Sequence, residues 1–236
     1  MRVKVNGHAP DWASIDTVLL DMDGTVLDLG CDIRFWQDIL PRSYAERHGL
    51  SLEEAHRRMR PIHEATRGTL DWYCVDYWSR ELALDVVALK RATRHHIAWL
   101  PESRDFVARV RASGRRVVLV TNAHPEILAI KDAHLGVRRH FDAVFSSHEL
   151  GAPKEDPHYW VHLEEREIFD RERTLLADDT VPVLEAARRH GIRWVYAIQK
   201  PARHAPARRQ TQIPGVDSVH ELAAGLAPAG VQPPPA

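Results

Sequence analysis

The tightest constraint on this chain is a set of short apolar runs that alternate with helix-length segments. Residues 17–20, 116–120, 143–146, 174–177 and 194–198 are rich in aliphatic side chains and too short for helices. Residues 102–113, 125–134, 157–167 and 181–190 carry helical patterns between or after them. A strand that is apolar at every position is buried on both faces. This spacing therefore predicts an α/β fold: a Rossmann-like parallel sheet covered by helices on both faces.

One region breaks the alternation. From Cys31 to Ile97 there is helical pattern but no strand candidate. Ser51-Leu52-Glu53-Glu54 reads as a capping-box start, and Trp72, Tyr73, Tyr77 and Trp78 form an aromatic set at helical spacing. The expected organisation is a sheet core over 15–30 and 98–226, an all-helical cap over 31–97, and flexible ends at 1–14 and 227–236. An insertion after the first strand lies over the carboxyl end of that strand, where open α/β sheets bind ligands. It is thus placed to act as a lid.

Length and composition set outer bounds. The chain has 236 residues, 44% hydrophobic and 28% charged, which suits one large domain or two small ones. A net charge of -1 gives no global field for nucleic acid polymers or anionic membranes. The two cysteines, Cys31 and Cys74, form no disulfide framework or C-x-x-C pattern. No apolar stretch is long enough to span a bilayer, so a reduced, cytoplasmic setting is expected. His158 and His162 have i, i+4 spacing but no third ligand nearby, and a solvated helix face is the better account. The basic stretch 200–212 reads as a solvated loop rather than a polyanion site.

Chemistry concentrates where the apolar runs end. The first run leads into Asp21-Met22-Asp23-Gly24-Thr25. Two carboxylates at the end of a buried strand repel one another and lose hydration, unless a cation holds them. With oxygen ligands alone the expected ion is Mg2+. The second run ends in Thr121-Asn122, which suits phosphate oxygens beside a helix N-terminus or serves as a helix N-cap. Lys154 follows Pro153 in a stiffened loop, as a point charge for phosphate or as a surface lysine. The fourth run ends in Asp178-Asp179, a second acid pair that also reads as an N-cap for the next helix. Acids, Thr-Asn, Lys and acids again, all at the carboxyl side of parallel strands, make a site for one divalent metal and one phosphoryl group.

These motifs, in this order and spacing across residues 16–200, resemble the haloacid dehalogenase superfamily of phosphohydrolases. The runs 16–25, 72–78, 121–125 and 153–156 are similar to its purine 5'-nucleotidase branch, active on GMP and IMP. The resemblance implies that Asp21 is the nucleophile and forms an aspartyl-phosphate. Asp23 would be the acid–base, and Thr121, Asn122 and Lys154 would hold the phosphate. Asp21, Asp179 and the Asp23 backbone carbonyl would bind Mg2+. Many members carry a further acid where this chain has Val183; Asp178 is the expected replacement in the outer metal shell. Arg34, Trp36, Trp72 and Tyr77 are candidate specificity contacts in the cap, although aromatics at helical spacing read first as the core of a small helical domain. The expected partner is a small phosphomonoester, a purine nucleotide first. The alternatives are a small sugar or hydroxy-acid phosphate, dehalogenation, and a non-catalytic regulatory module that binds a phosphometabolite.

Overall fold

The computed structural model describes residues 9–209 and 212–226. Six strands, β1 (Thr17–Leu20), β2 (Arg116–Thr121), β3 (Ala143–Ser146), β4 (Thr174–Asp178), β5 (Trp194–Ile198) and β6 (Gly215–Val216), form one sheet in the order β3-β2-β1-β4-β5-β6. Every pairing is parallel. The expected Rossmann-like sheet is present. β2 and β4 each run one residue further than the sequence indicated, taking Thr121 and Asp178 into the ladder. The two-residue β6 lacked any sequence signal.

Side chains alternate across a sheet, and the core divides accordingly. Val18, Leu20, Val117, Leu119, Leu175 and Ala177 pack into one buried cluster, with Phe106, Val110, Leu128 and Ile130 from the helices Ser103–Ala112 and Pro125–Leu135. Leu19, Val118, Val120 and Leu176 face the other way. They meet Tyr159, Trp160 and Leu163 from Pro157–Arg166, and Val183, Leu184 and Ala187 from Val181–His190. Both faces are covered. Val183 is 1% exposed and belongs to this second cluster.

Between β1 and β2 the described chain forms helices from Gly30 to Ala92 and a short turn at Arg94–His96. Its entry and exit segments lie side by side: Leu27 bridges Trp99, Asp28 N–H donates to Ala98 O at 2.9 Å, and Leu100 N–H donates to Val26 O at 2.9 Å. Ser51 caps Leu52–Thr66 by accepting from Glu54 N–H at 3.2 Å. The aromatic stretch is two helices, Leu70–Tyr73 and Val75–Leu82, broken at Cys74, whose backbone is extended. Cys74 Sγ accepts from Tyr77 N–H at 3.5 Å and so caps the second helix.

Residues 9–14, expected to be loose, are tied down. Trp12 is 5% exposed and its Nε1 donates to Leu222 O at 2.9 Å. The expected flexible ends at 1–8 and 227–236 lie outside the described residues. Among the described residues no helix is long and apolar enough to cross a membrane.

Candidate active site

In-register pairing of Leu20 with Ala177 brings Asp21 and Asp178 side by side at the carboxyl ends of β1 and β4. Adjacent in-register residues share a face, so these carboxylates need a cation between them. Lys154 supplies part of it. Its Nζ donates to Asp21 Oδ1 at 2.5 Å, to Asp178 Oδ2 at 2.6 Å and to Val120 O at 3.2 Å. Burial opposes the charged ammonium, yet Asp178 and Asp21 raise its pKa well above the ordinary value. Asp179 completes the acid group, and carboxylate oxygens of Asp21, Asp178 and Asp179 lie within 4.8 Å of one another.

Lys154, with Arg208 reaching Asp179 Oδ2 at 3.2 Å, supplies two cations for three clustered acids. Burial pushes Asp21 up to about 6 and raises Asp178, and it holds Asp179 well above the ordinary value together with the neighbouring Asp178 and Asp21 charges. Asp21 Oδ2 is buried with no hydrogen-bond partner. An orphaned carboxylate oxygen in an oxygen-only cluster suits a hard divalent ion such as Mg2+. Gly24 leaves room for this arrangement. Its φ is +91°, and a Cβ there would stand 2.7 Å from Asp179 Cγ.

Asp23 is held apart from that cluster. Its Oδ1 accepts from Lys131 Nζ at 2.6 Å, and Lys131 also donates to Asp32 Oδ2 at 2.9 Å. Lys90 closes on the other Asp32 oxygen. Burial pushes Asp23 up to about 6 despite Lys131. Burial opposes the ionised Asp32 too, but Lys131 and Lys90 overcome it and hold its pKa far below the ordinary value. Asp32, Lys90 and Lys131 were not singled out from the sequence. A lysine following the apolar Ile127, Leu128 and Ile130 on one helix was the available signal.

On the β2 side, Thr121 and Asn122 are both buried. The N-cap of Pro125–Leu135 is His124, whose ring accepts from Glu126 N–H, so neither Thr121 nor Asn122 serves as that cap. Asn122 Oδ1 accepts from Lys154 N–H at 2.9 Å, and Asn122 Nδ2 donates to Glu155 Oε2 at 2.9 Å. Glu155 Oε1 in turn accepts from Tyr73 Oη at 2.5 Å, linking the helical insertion to the sheet. Likewise Thr180, not Asp178 or Asp179, is the N-cap after β4, while Asp178 Oδ1 accepts from Thr180 N–H at 2.8 Å.

Two adjoining cavities open on these groups. One, of about 670 Å3, is lined by Asp21, Asp23, Thr121, Asn122, Lys154 and Asp179, with Arg67 and Arg208 at its edge. The other, of about 430 Å3, is lined by Trp36, His63, Trp72 and Trp78, and Asp23, Trp72 and Tyr73 border both. Arg208 belongs to the basic stretch read as a solvated loop, yet it donates to Asp179 Oδ2 at 3.2 Å. Of the specificity candidates, Trp36 and Trp72 line a cavity, whereas Arg34 and Tyr77 line neither. His158 is exposed and pairs with Asp156 at 2.8 Å.

A family model described as haloacid dehalogenase-like hydrolase matches residues 15–191. The GMP/IMP nucleotidase YrfG of Escherichia coli (strain K12) is 37% identical over 215 residues, covering 91% of this chain and 97% of that protein. A HAD phosphatase from Thermococcus onnurineus superposes with a TM-score of 0.76 at 20% identity, covering 92% of this chain and all of its own. The defluorinating L-2-haloacid dehalogenase Rha0230 superposes at 0.62 with 21% identity, over 93% of this chain and 98% of its own. Phosphatase and dehalogenase thus share this fold, and the superpositions speak to architecture alone. With the family model and the YrfG likeness both extending over most of its length, the chain belongs to the haloacid dehalogenase-like hydrolases.

Proposed function

We propose that this HAD phosphohydrolase is a Mg2+-dependent 5'-nucleotidase that removes phosphate from purine nucleoside monophosphates, GMP and IMP first. The observation that carries the reading is the buried, unpartnered Asp21 Oδ2 beside Asp178 and Asp179, with Asp21 and Asp179 lining the same cavity as Thr121, Asn122 and Lys154. The substrate preference rests on the likeness to the GMP/IMP nucleotidase and on the aromatic cavity next door.

In this reading Asp21, Asp179 and the backbone carbonyl of Asp23 would hold Mg2+, and Asp178 would support them from behind. When bound, the ion offsets repulsion between an anionic nucleophile and an anionic phosphate. Asp21 attacks phosphorus, the bond to the leaving oxygen breaks, and an aspartyl-phosphate forms. Asp23 gives its proton to the leaving oxygen, then takes one from the water that cleaves the aspartyl-phosphate. A carboxyl pushed up to about 6 is suited to both transfers near neutral pH. Lys154, Thr121 and Asn122 stabilise charge on the transferring group. Residues 31–97 act as the cap, and Trp36 and Trp72 face the purine. Dehalogenation needs no metal ion, so that alternative leaves the unpartnered Asp21 Oδ2 beside Asp179 without a shared ligand.

The test is kcat/KM for a panel of phosphomonoesters at fixed Mg2+. GMP and IMP are expected to exceed CMP and UMP by roughly tenfold or more, from about 1–3 kcal/mol of extra base burial and stacking. A hexose phosphate or phosphoglycolate that beats every nucleotide tenfold would discard the purine assignment and keep the phosphatase.

A further inference from the structure

Away from the acid cluster, three different metal-ligating side chains converge where the helical insertion meets the sheet. Cys74 separates the helices Leu70–Tyr73 and Val75–Leu82, His124 precedes Pro125–Leu135, and His148 stands in Ser147–Leu150 after β3. Cys74 Sγ and one ring nitrogen from each histidine lie within 4.8 Å of one another. The imidazoles meet edge to face with centroids 4.6 Å apart.

Hydrogen bonding leaves one nitrogen on each ring for another purpose. His124 Nδ1 accepts from Glu126 N–H at 3.3 Å, and His148 Nδ1 lies 3.5 Å from Ser147 Oγ. His148 Nε2 is buried without a partner. His124 Nε2 is 3.8 Å from Asp76 Oδ2. Burial lowers both imidazole pKa values, that of His148 to about 4, so both rings are neutral near pH 7; His148 has Nε2 free to carry its lone pair, whereas His124 lends its lone pair at Nδ1 to Glu126 N–H and has to give up that 3.3 Å contact to ligate through Nε2. A buried ring nitrogen with nothing to accept is unfavourable until a donor or a metal takes its lone pair.

We propose that Cys74, His124 and His148 bind one Zn2+-class cation that fastens the helical insertion to the sheet. Thiolate and imidazole suit Zn2+, whereas Mg2+ takes oxygen ligands and is left to the carboxylates. Tetrahedral ligands at zinc distances stand roughly 3.5 Å apart, so small side-chain rotations close the set. Loading forms a metal–sulfur bond, and the thiol proton passes to water with no change of oxidation state. Asp76 or solvent takes the fourth position. The site is independent of which phosphomonoester the enzyme hydrolyses.

Cobalt binding to the full-length chain, with Mg2+ in excess to occupy the carboxylates, tests this. Wild type is expected to bind one Co2+ with a thiolate-to-cobalt charge-transfer band, and Zn2+ should displace it. Cys74→Ser should abolish the band. His148→Gln should weaken Zn2+ binding by at least about 100-fold, beyond the loss typical of an outer-shell partner. Cys31→Ser and Asp21→Asn should keep the band. Circular dichroism establishes that each variant is folded. As a measurement without substitution, Zn2+ should protect Cys74 from alkylation in wild type, read by mass spectrometry. The proposal falls if wild type shows no band, if the band survives Cys74→Ser or follows Cys31 or Asp21, or if Zn2+ leaves Cys74 alkylation unchanged.

Discussion

Asp21 meets Lys154 through one carboxylate oxygen and leaves the other without a partner, whereas Asp23 is held through Lys131. Their substitutions should therefore separate. Asp21→Asn removes the attacking charge and one metal ligand at constant volume; nearly all turnover should vanish while circular dichroism is unchanged. Activity within tenfold of wild type would end the aspartyl-phosphate mechanism. Asp23→Asn should retain Mg2+ affinity, because its proposed ligand is a backbone carbonyl, and lose about 10^2–10^4 in turnover. Collapse of metal affinity with normal turnover at saturating Mg2+ would remove Asp23 from the acid–base role. Lys131 is 3% exposed between Asp23 and Asp32. Lys131→Met should cost about 3–5 kcal/mol in urea unfolding, the penalty for leaving buried charge unpaired. A neutral result would mean that Lys131 only fills space. The acids at the strand ends were legible because each motif is local. Lys131 was not, since its partners Asp23 and Asp32 lie 108 and 99 positions away, and only the fold brings them together.

The helices Leu70–Tyr73 and Val75–Leu82 show why an aromatic stripe is only half an answer. Helical spacing identifies a buried face, but not what that face meets. Trp78 is 1% exposed and its Nε1 donates to Trp72 O at 2.9 Å, while Trp72 is half-buried and borders both cavities. The break at Cys74 turns the two rings to different uses, and nothing in the local sequence is a strong helix stop. Trp78→Ala should cost about 3–5 kcal/mol of stability. Trp72→Ala should lower the GMP-to-CMP ratio of kcat/KM by roughly tenfold, the share expected of one stacking ring. An unchanged ratio in Trp72→Ala would show that this ring does not contact the base.

Across the whole molecule, the parallel sheet and its two covered faces followed from continuous apolar runs. β6 and the docking of Trp12 against Leu222 did not, because short segments with distant partners carry no period. Sheet order has an energetic consequence as well, since it gathers acids at the carboxyl ends of the adjacent central strands β1 and β4. Asp21 and Asp23 are pushed up to about 6 from an ordinary 3.8, chiefly by burial, and Asp178 and Asp179 are raised too. The sign follows from proton uptake. Between about pH 4 and 6 the folded protein holds protons that the unfolded chain has released, so metal-free stability falls as pH rises through that window. Asp32 is depressed and Lys131 raised, so their contributions are lost only in stronger acid and stronger base, outside the window. Mg2+ competes with the same protons. Its stabilisation should be small at pH 5 and larger at pH 7, reaching about 2.7 kcal/mol at a concentration one hundred times Kd. For a chain of this size that corresponds to a Tm rise of roughly 5–10 °C. Thermal unfolding at pH 5, 6 and 7 with and without MgCl2 measures it, and Asp21→Asn should shrink the rise at pH 7. A Mg2+ effect equal at all three pH values, or largest at pH 5, would mean that the ion does not bind these carboxylates.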